Sequence, residues 1–182
     1  MAKKEVHTAA YVRQALDYNP GTGIFTWLVR PLEHFPDARA WRIWNTRYAG
    51  RETGCNSHGY RVLVIENRHY PAHRVAWLWM TGSWPKEQID HKNGVRSDNR
   101  FSNLREATSA ENHQNRSIIS NNTSGILGVS WNTRECMWAA QIHVEGKVKF
   151  LGYYSEREDA KARYLSEKAN LHQFQPVPRD AA

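Results

Sequence analysis

Two cysteines, no apolar run near membrane-spanning length and a shortage of acidic side chains set the first limits on the chain. Cys55 and Cys136 lie far apart, so they offer neither a disulfide framework nor the paired spacing of a zinc knuckle. No zinc is expected. No apolar stretch approaches the roughly 20 residues that cross a bilayer, and Met1-Ala2-Lys3-Lys4-Glu5 lacks the apolar core of a signal peptide. The expectation is a cytoplasmic protein with no membrane partner. Only 18 Asp and Glu face 25 Lys and Arg, leaving a formal charge of +7. Such an excess is drawn to phosphate by long-range attraction and counterion release, so nucleic acid is the leading candidate partner.

With 182 residues and 40% hydrophobic content, the chain can hold one ordinary domain or two to three small ones. Residues Thr8 to Asp17 predict a short helix, and the turn formers Asn19-Pro20-Gly21-Thr22-Gly23 lead into a strand at Ile24 to Val29. Residues 30–57 show no clear period. They interleave Arg39, Trp41, Arg42, Trp44 and Arg47, a mixture that can grip a backbone and stack on bases or simply anchor a small core. Tyr60 to Glu66 predicts a strand, Asn67-Arg68 a tight turn, and His73 to Met80 a buried helix ended by Gly82 and Pro85. His73 reads as a hydrogen-bonded structural residue rather than a ligand.

The chemistry concentrates in Ile89-Asp90-His91-Lys92-Asn93-Gly94-Val95-Arg96-Ser97-Asp98-Asn99-Arg100-Phe101-Ser102-Asn103-Leu104-Arg105 and the following Glu111-Asn112-His113-Gln114-Asn115. Asn93-Gly94 tolerates left-handed backbone angles, and Thr108 three residues before Glu111 is a capping box, so a helix should start near Ser109. Phosphodiester hydrolysis needs an activated water, a counter-charge at phosphorus and help for the leaving oxygen. Histidine suits the base, being mostly neutral at cellular pH. An ionised Asp90 and the Asn112 amide oxygen are hard donors that favour Mg2+ or Mn2+. Asn115 shares a helix face with Asn112 and is a reserve ligand or phosphate contact. Adjacent strand residues point to opposite faces, so Asp90 and His91 can share a site only if the strand end twists or bulges into the Lys92-Asn93-Gly94 loop.

The run Asp90-His91, Asn93-Gly94, Asp98-Asn99-Arg100, Asn103-Leu104-Arg105, Asn112 and Asn115 resembles the HNH nucleases, specifically phage-type homing endonucleases. Ala72-His73-Arg74-Val75-Ala76-Trp77 and Gly82-Ser83-Trp84-Pro85 look like the same family's lead-in, and the likeness covers residues 58–116. The resemblance implies a ββα-metal (His-Me finger) core, with His91 as general base, Asp90 and Asn112 as metal ligands and Asn103 holding the loop that orients His91. Asn112 stands where many relatives have a final His. Arg100 and Arg105 join Arg39, Trp41, Arg42 and Arg47 as candidate DNA contacts.

Beyond a linker at 117–123, strands are expected at Gly128 to Trp131, Trp138 to Val144 and Val148 to Tyr153, with a helix from Glu156 to about Ala169. Gly128-Val129-Ser130-Trp131, Phe150-Leu151-Gly152-Tyr153-Tyr154 and Glu158-Asp159-Ala160-Lys161-Ala162-Arg163-Tyr164 resemble an AP2/ERF DNA-binding domain. That likeness implies a sheet facing the major groove, with Trp131, Arg134, Trp138, Gln141, His143, Lys147 and Lys149 toward DNA. Val129, Ala140, Ile142, Leu151, Ala160 and Tyr164 would form the core. The expected class is α+β, divided as 1–57, a DNA-contacting region; 58–116, the nuclease; and 124–182, the AP2/ERF-like module. One visible site favours a monomer that nicks one strand of double-stranded DNA. The alternative is a non-catalytic DNA-binding regulator, and charge with aromatics leaves RNA open. The resemblance also implies a phage or prophage setting.

Overall fold

In the computed structural model, residues 7–114, 122–144 and 146–172 are described. They fall into two compact units, one built on residues up to 91 with 95–106, the other on 92–94 and residues from 107 onward.

The first unit opens with α1 (Ala9–Ala15), whose first turn is capped by Thr8, the hydroxyl accepting from the Tyr11 amide at 3.2 Å. Strands β1 (Leu16–Asn19) and β2 (Ile24–Trp27) form an antiparallel hairpin. Its turn forms because the Asn19 side-chain oxygen accepts from the Gly21 amide at 2.9 Å and Gly23 supplies φ +77°. Residues 30–57, aperiodic in sequence, contain α2 (Ala38–Tyr48), capped by Asp37. None of its residues is fully buried, which explains the missing period. A three-stranded sheet follows, ordered β3 (Cys55–Ser57), β4 (Tyr60–Ile65), β5 (Arg68–Pro71). The β4–β5 turn is Glu66-Asn67, both at positive φ as a two-residue hairpin loop demands, one residue before the expected pair. Helix α3 (Ala72–Thr81) buries Ala72, His73, Val75, Ala76 and Leu78 and ends at left-handed Gly82. Strand β6 (Gln88–His91) pairs with β7 (Leu104–Ala107).

One core gathers Val12, Leu16, Tyr18, Phe25, Leu63, Ile65, Val75, Leu78, Ile89 and Leu104. Residues on both sides of the boundary expected at 57/58 therefore share a core, and the amino-terminal segment is built into the unit that carries Asp90 and His91.

The second unit contains α4 (Ser109–Gln114), the sheet β8 (Val129–Asn132), β9 (Met137–Val144) and β10 (Lys147–Tyr154) in the order β10-β9-β8, and α5 (Arg157–Leu171). The Thr108–Glu111 capping box forms, with the Thr108 amide donating to the Glu111 carboxylate at 2.7 Å. Val129, Ala140, Ile142, Ala160 and Tyr164 make the core, with Leu151 packed against it. Gly128 is required there, because a Cβ would stand 2.3 Å from the Tyr164 ring.

Candidate functional site

Asp90 and His91 close β6, both buried, at 7% and 5% exposure. Their contacts diverge as strand geometry requires. Asp90 takes two bonds on one oxygen, Oδ2, from Arg105 of β7: Nε at 2.9 Å and Nη2 at 2.7 Å. Arg105, one of the candidate DNA contacts, has its guanidinium on the Asp90 carboxylate.

His91 faces the loop before β7. The Nδ2 of buried Asn99 donates to the Ser97 carbonyl at 3.1 Å, which leaves Oδ1 toward His91 Nε2 at a long 3.4 Å. An oxygen there accepts, so it favours the tautomer with hydrogen on Nε2 and the lone pair on Nδ1. Burial drives the His91 pKa below its ordinary value and outweighs the opposing pull of Asn99, Asp90 and Asp98. The ring is a neutral imidazole able to accept a proton. Asn103, in the turn Phe101–Asn103, donates from Nδ2 to the Asp98 carbonyl at 2.8 Å and so braces this loop from within.

Two neighbours carried no such signal in sequence. His73 of α3 packs edge-on to His91, ring centres 5.0 Å apart at 78°. Its Nδ1 is buried without a hydrogen-bond partner among the described residues, and burial above all pushes its pKa down to about 3. Tyr60 lies 5.5 Å from the His73 ring and 6.2 Å from that of His91, with the Arg96 guanidinium 5.1 Å over its face.

Asn112 lies half-buried on α4, in the second unit; Asn115 falls outside the described residues. Among the described residues, no three His, Cys, Asp or Glu side chains converge to hold a metal. Arg39, Arg42 and Arg47 are exposed along α2, whereas Trp41 is half-buried and its Nε1 donates to the Arg30 carbonyl at 2.8 Å. Exposed Arg100 pairs with Asp98, its Nε 2.8 Å from Oδ1.

The second unit's candidates divide between two sheet faces. Gln141 and His143 oppose Phe150 and Val148 on the open face, where Met137 and Tyr153 are also exposed. Trp131 opposes Trp138, and Lys149 opposes Ile142, on the face toward α5, with Lys149 Nζ 2.8 Å from Glu167 of that helix. Lys147 opposes Val144 on that same face, and Arg134 lies in the β8–β9 turn. Period-two alternation thus keeps Trp131, Trp138, Lys147 and Lys149 off the face of Gln141 and His143.

Strand β6 ends in the buried Asp90-His91 and is joined to its partner β7 by an Asn-rich loop; the stretch 70–114 that contains both strands matches the HNH endonuclease family. A phage homologue, Protein 3.8 of Escherichia phage T7, is 37% identical over 76 residues, covering 41% of this chain and 63% of that protein. The chain thus spans less than two thirds of the curated relative it matches. No solved structure matches.

Proposed function

We propose that the protein is a metal-dependent DNA endonuclease of the HNH homing type, nicking one strand of double-stranded DNA. The reading rests above all on the buried His91 ring, held neutral with an oxygen acceptor at Nε2 inside the matched segment. In it, His91 Nδ1 takes a proton from the attacking water as that oxygen bonds phosphorus and the ester P–O bond breaks. Asn103 is the brace of the loop. Asp90 and Asn112, with Asn115 in reserve, are the oxygen donors for Mg2+ or Mn2+, a hard set that fits such ions. Amide oxygens and water would complete the set in this reading. A divalent ion, if held by these donors, would offset the negative charge that builds on the phosphate and leaving oxygen. Arg105, bound to Oδ2, fixes how the Asp90 carboxylate is presented.

The exposed arginines of α2 and the charge of +7 support a DNA substrate. Supercoiled plasmid incubated with Mg2+ or Mn2+ is expected to yield open circles, and a chelator to stop the reaction. Equal cutting with chelator removes the metal from the reading; DNA binding without any cutting on target-bearing DNA returns the protein to the regulator class. Residues 124–182 are proposed as an AP2/ERF-like module that aims the nuclease, on the strength of their sheet-and-helix order and the sequence likeness. Deleting residues 117–182 is expected to weaken and flatten target selection, read as loss of cleavage preference among sites, with slow nicking retained. Complete loss of nicking by a folded fragment overturns that division of labour.

A further inference from the structure

We infer that the β1–β2 hairpin, outside the matched segment 70–114, positions His91 by clamping the loop that carries Asn99. The inference rests on the nuclease reading of His91. Three contacts join the hairpin to this loop across some 80 residues of sequence. The Tyr18 hydroxyl donates to the Asn99 carbonyl at 2.7 Å, within the core. The Phe101 amide donates to the Pro20 carbonyl at 3.0 Å. Gly23, at φ +77°, lies so close that an added Cβ would sit 2.5 Å from the Asn99 carbonyl carbon and 2.6 Å from the Arg100 nitrogen. A residue with a side chain there would push the loop backbone away, so the approach requires glycine.

Beside these contacts lies a cleft of about 220 Å³ whose lining includes Thr22, Glu52, Arg61, Ser97 and Asn99, so both the hairpin and the loop contribute to its wall. Burial, with the charge of Asp98, raises the Tyr18 pKa, so the hydroxyl keeps the proton it donates. Tyr18 itself is fixed by stacking on Phe25, ring centres 4.6 Å apart, and by an edge contact with Trp79 at 5.8 Å. The chain of support runs from the aromatic core to the Tyr18 hydroxyl, to the Asn99 backbone, and through the Asn99 side chain to His91 Nε2. Asn99 and Tyr18 are positioning residues in this scheme: they set where the imidazole points and which nitrogen carries the lone pair.

Tyr18→Phe removes one hydroxyl and keeps the ring packing. Its counterpart, Tyr70→Phe, deletes a second core hydroxyl, bonded to His7 at 2.8 Å and unconnected to the loop. Steady-state nicking of plasmid is expected to show kcat down about tenfold in Tyr18→Phe with KM unchanged, the scale of a small misplacement of a reacting group. Tyr70→Phe should stay within about twofold at equal loss of melting temperature. Equal losses of kcat in both variants, or none in either, overturn the inference. Should the wild-type protein cut nothing, the nuclease reading fails, and the 15N shifts of the His91 ring decide the positioning claim separately. Tyr18→Phe must then reduce the Nε2–H tautomer while Tyr70→Phe leaves it; an unchanged ring signal in both overturns the clamp.

Discussion

His91→Ala is expected to slow metal-dependent nicking by about 10²- to 10⁴-fold, the usual contribution of a positioned base, while DNA binding stays near wild type. The ring is buried and bonded within its own loop, so its loss removes a proton acceptor and leaves the basic surface intact. Single-turnover cleavage at saturating protein separates the two, because it reads chemistry with binding complete. A rate within a few-fold of wild type would remove His91 from the mechanism. The pH profile gives an independent reading. Burial lowers the His91 pKa, and a cation beside Asp90 would push it the same way. Protonation destroys the lone pair, so the rate should fall toward acid with a midpoint below the ordinary histidine value of about 6.5. Asn99→Asp sets a carboxylate near the ring and should move that midpoint upward; an acid limb unmoved in this variant and also present in His91→Ala would belong to another group.

How much of this was legible in the sequence depended on the distance over which each feature is decided. Strands β4, β8, β9 and β10 are local patterns of β-branched and aromatic residues, and the second core was legible through the AP2/ERF likeness. Helix α2 was not, because its tryptophans are half-buried and its arginines exposed, so no burial period marks it. Arg105 looks like any arginine in a basic chain until β7 pairs with β6 and brings it to Asp90. Lys147 and Lys149 suggested a cationic DNA face, but register sets them opposite Val144 and Ile142, on the side of α5. Asp90 and His91 were legible through a long motif, whereas Asn99 sat in the same motif with no assigned task. Its task comes from a fold that turns Oδ1 toward His91 and ties its backbone to Tyr18, and His73 shows its role only once α3 is packed beside β6.

That packing of His73 has a thermodynamic consequence large enough to measure. Its folded pKa is about 3, against about 6.5 when exposed in the unfolded chain. Between those values the unfolded state binds the extra proton, so stability falls as pH falls below about 6.5, by at most about 1.4 kcal/mol per pH unit. His91, also lowered, acts in the same direction. Against a typical total of about 5–15 kcal/mol, two such groups are enough to make the first unit acid-labile while its carboxylates are still ionised. Urea titrations at pH 7.5 and pH 5 test this through tryptophan fluorescence, which reports mainly on the first unit because Trp27, Trp41, Trp44, Trp77, Trp79 and Trp84 all belong to it. The wild-type protein should lose stability across that interval, and His73→Leu should lose about 2 kcal/mol less, the share of one histidine over 1.5 pH units. Comparing the change with pH cancels any constant packing cost of the leucine. The same pH dependence in both proteins would mean that His73 gains a proton in the folded state as readily as in the unfolded one, and its Nδ1, without a partner among the described residues, would then have to be reached by water or a hydrogen-bond acceptor.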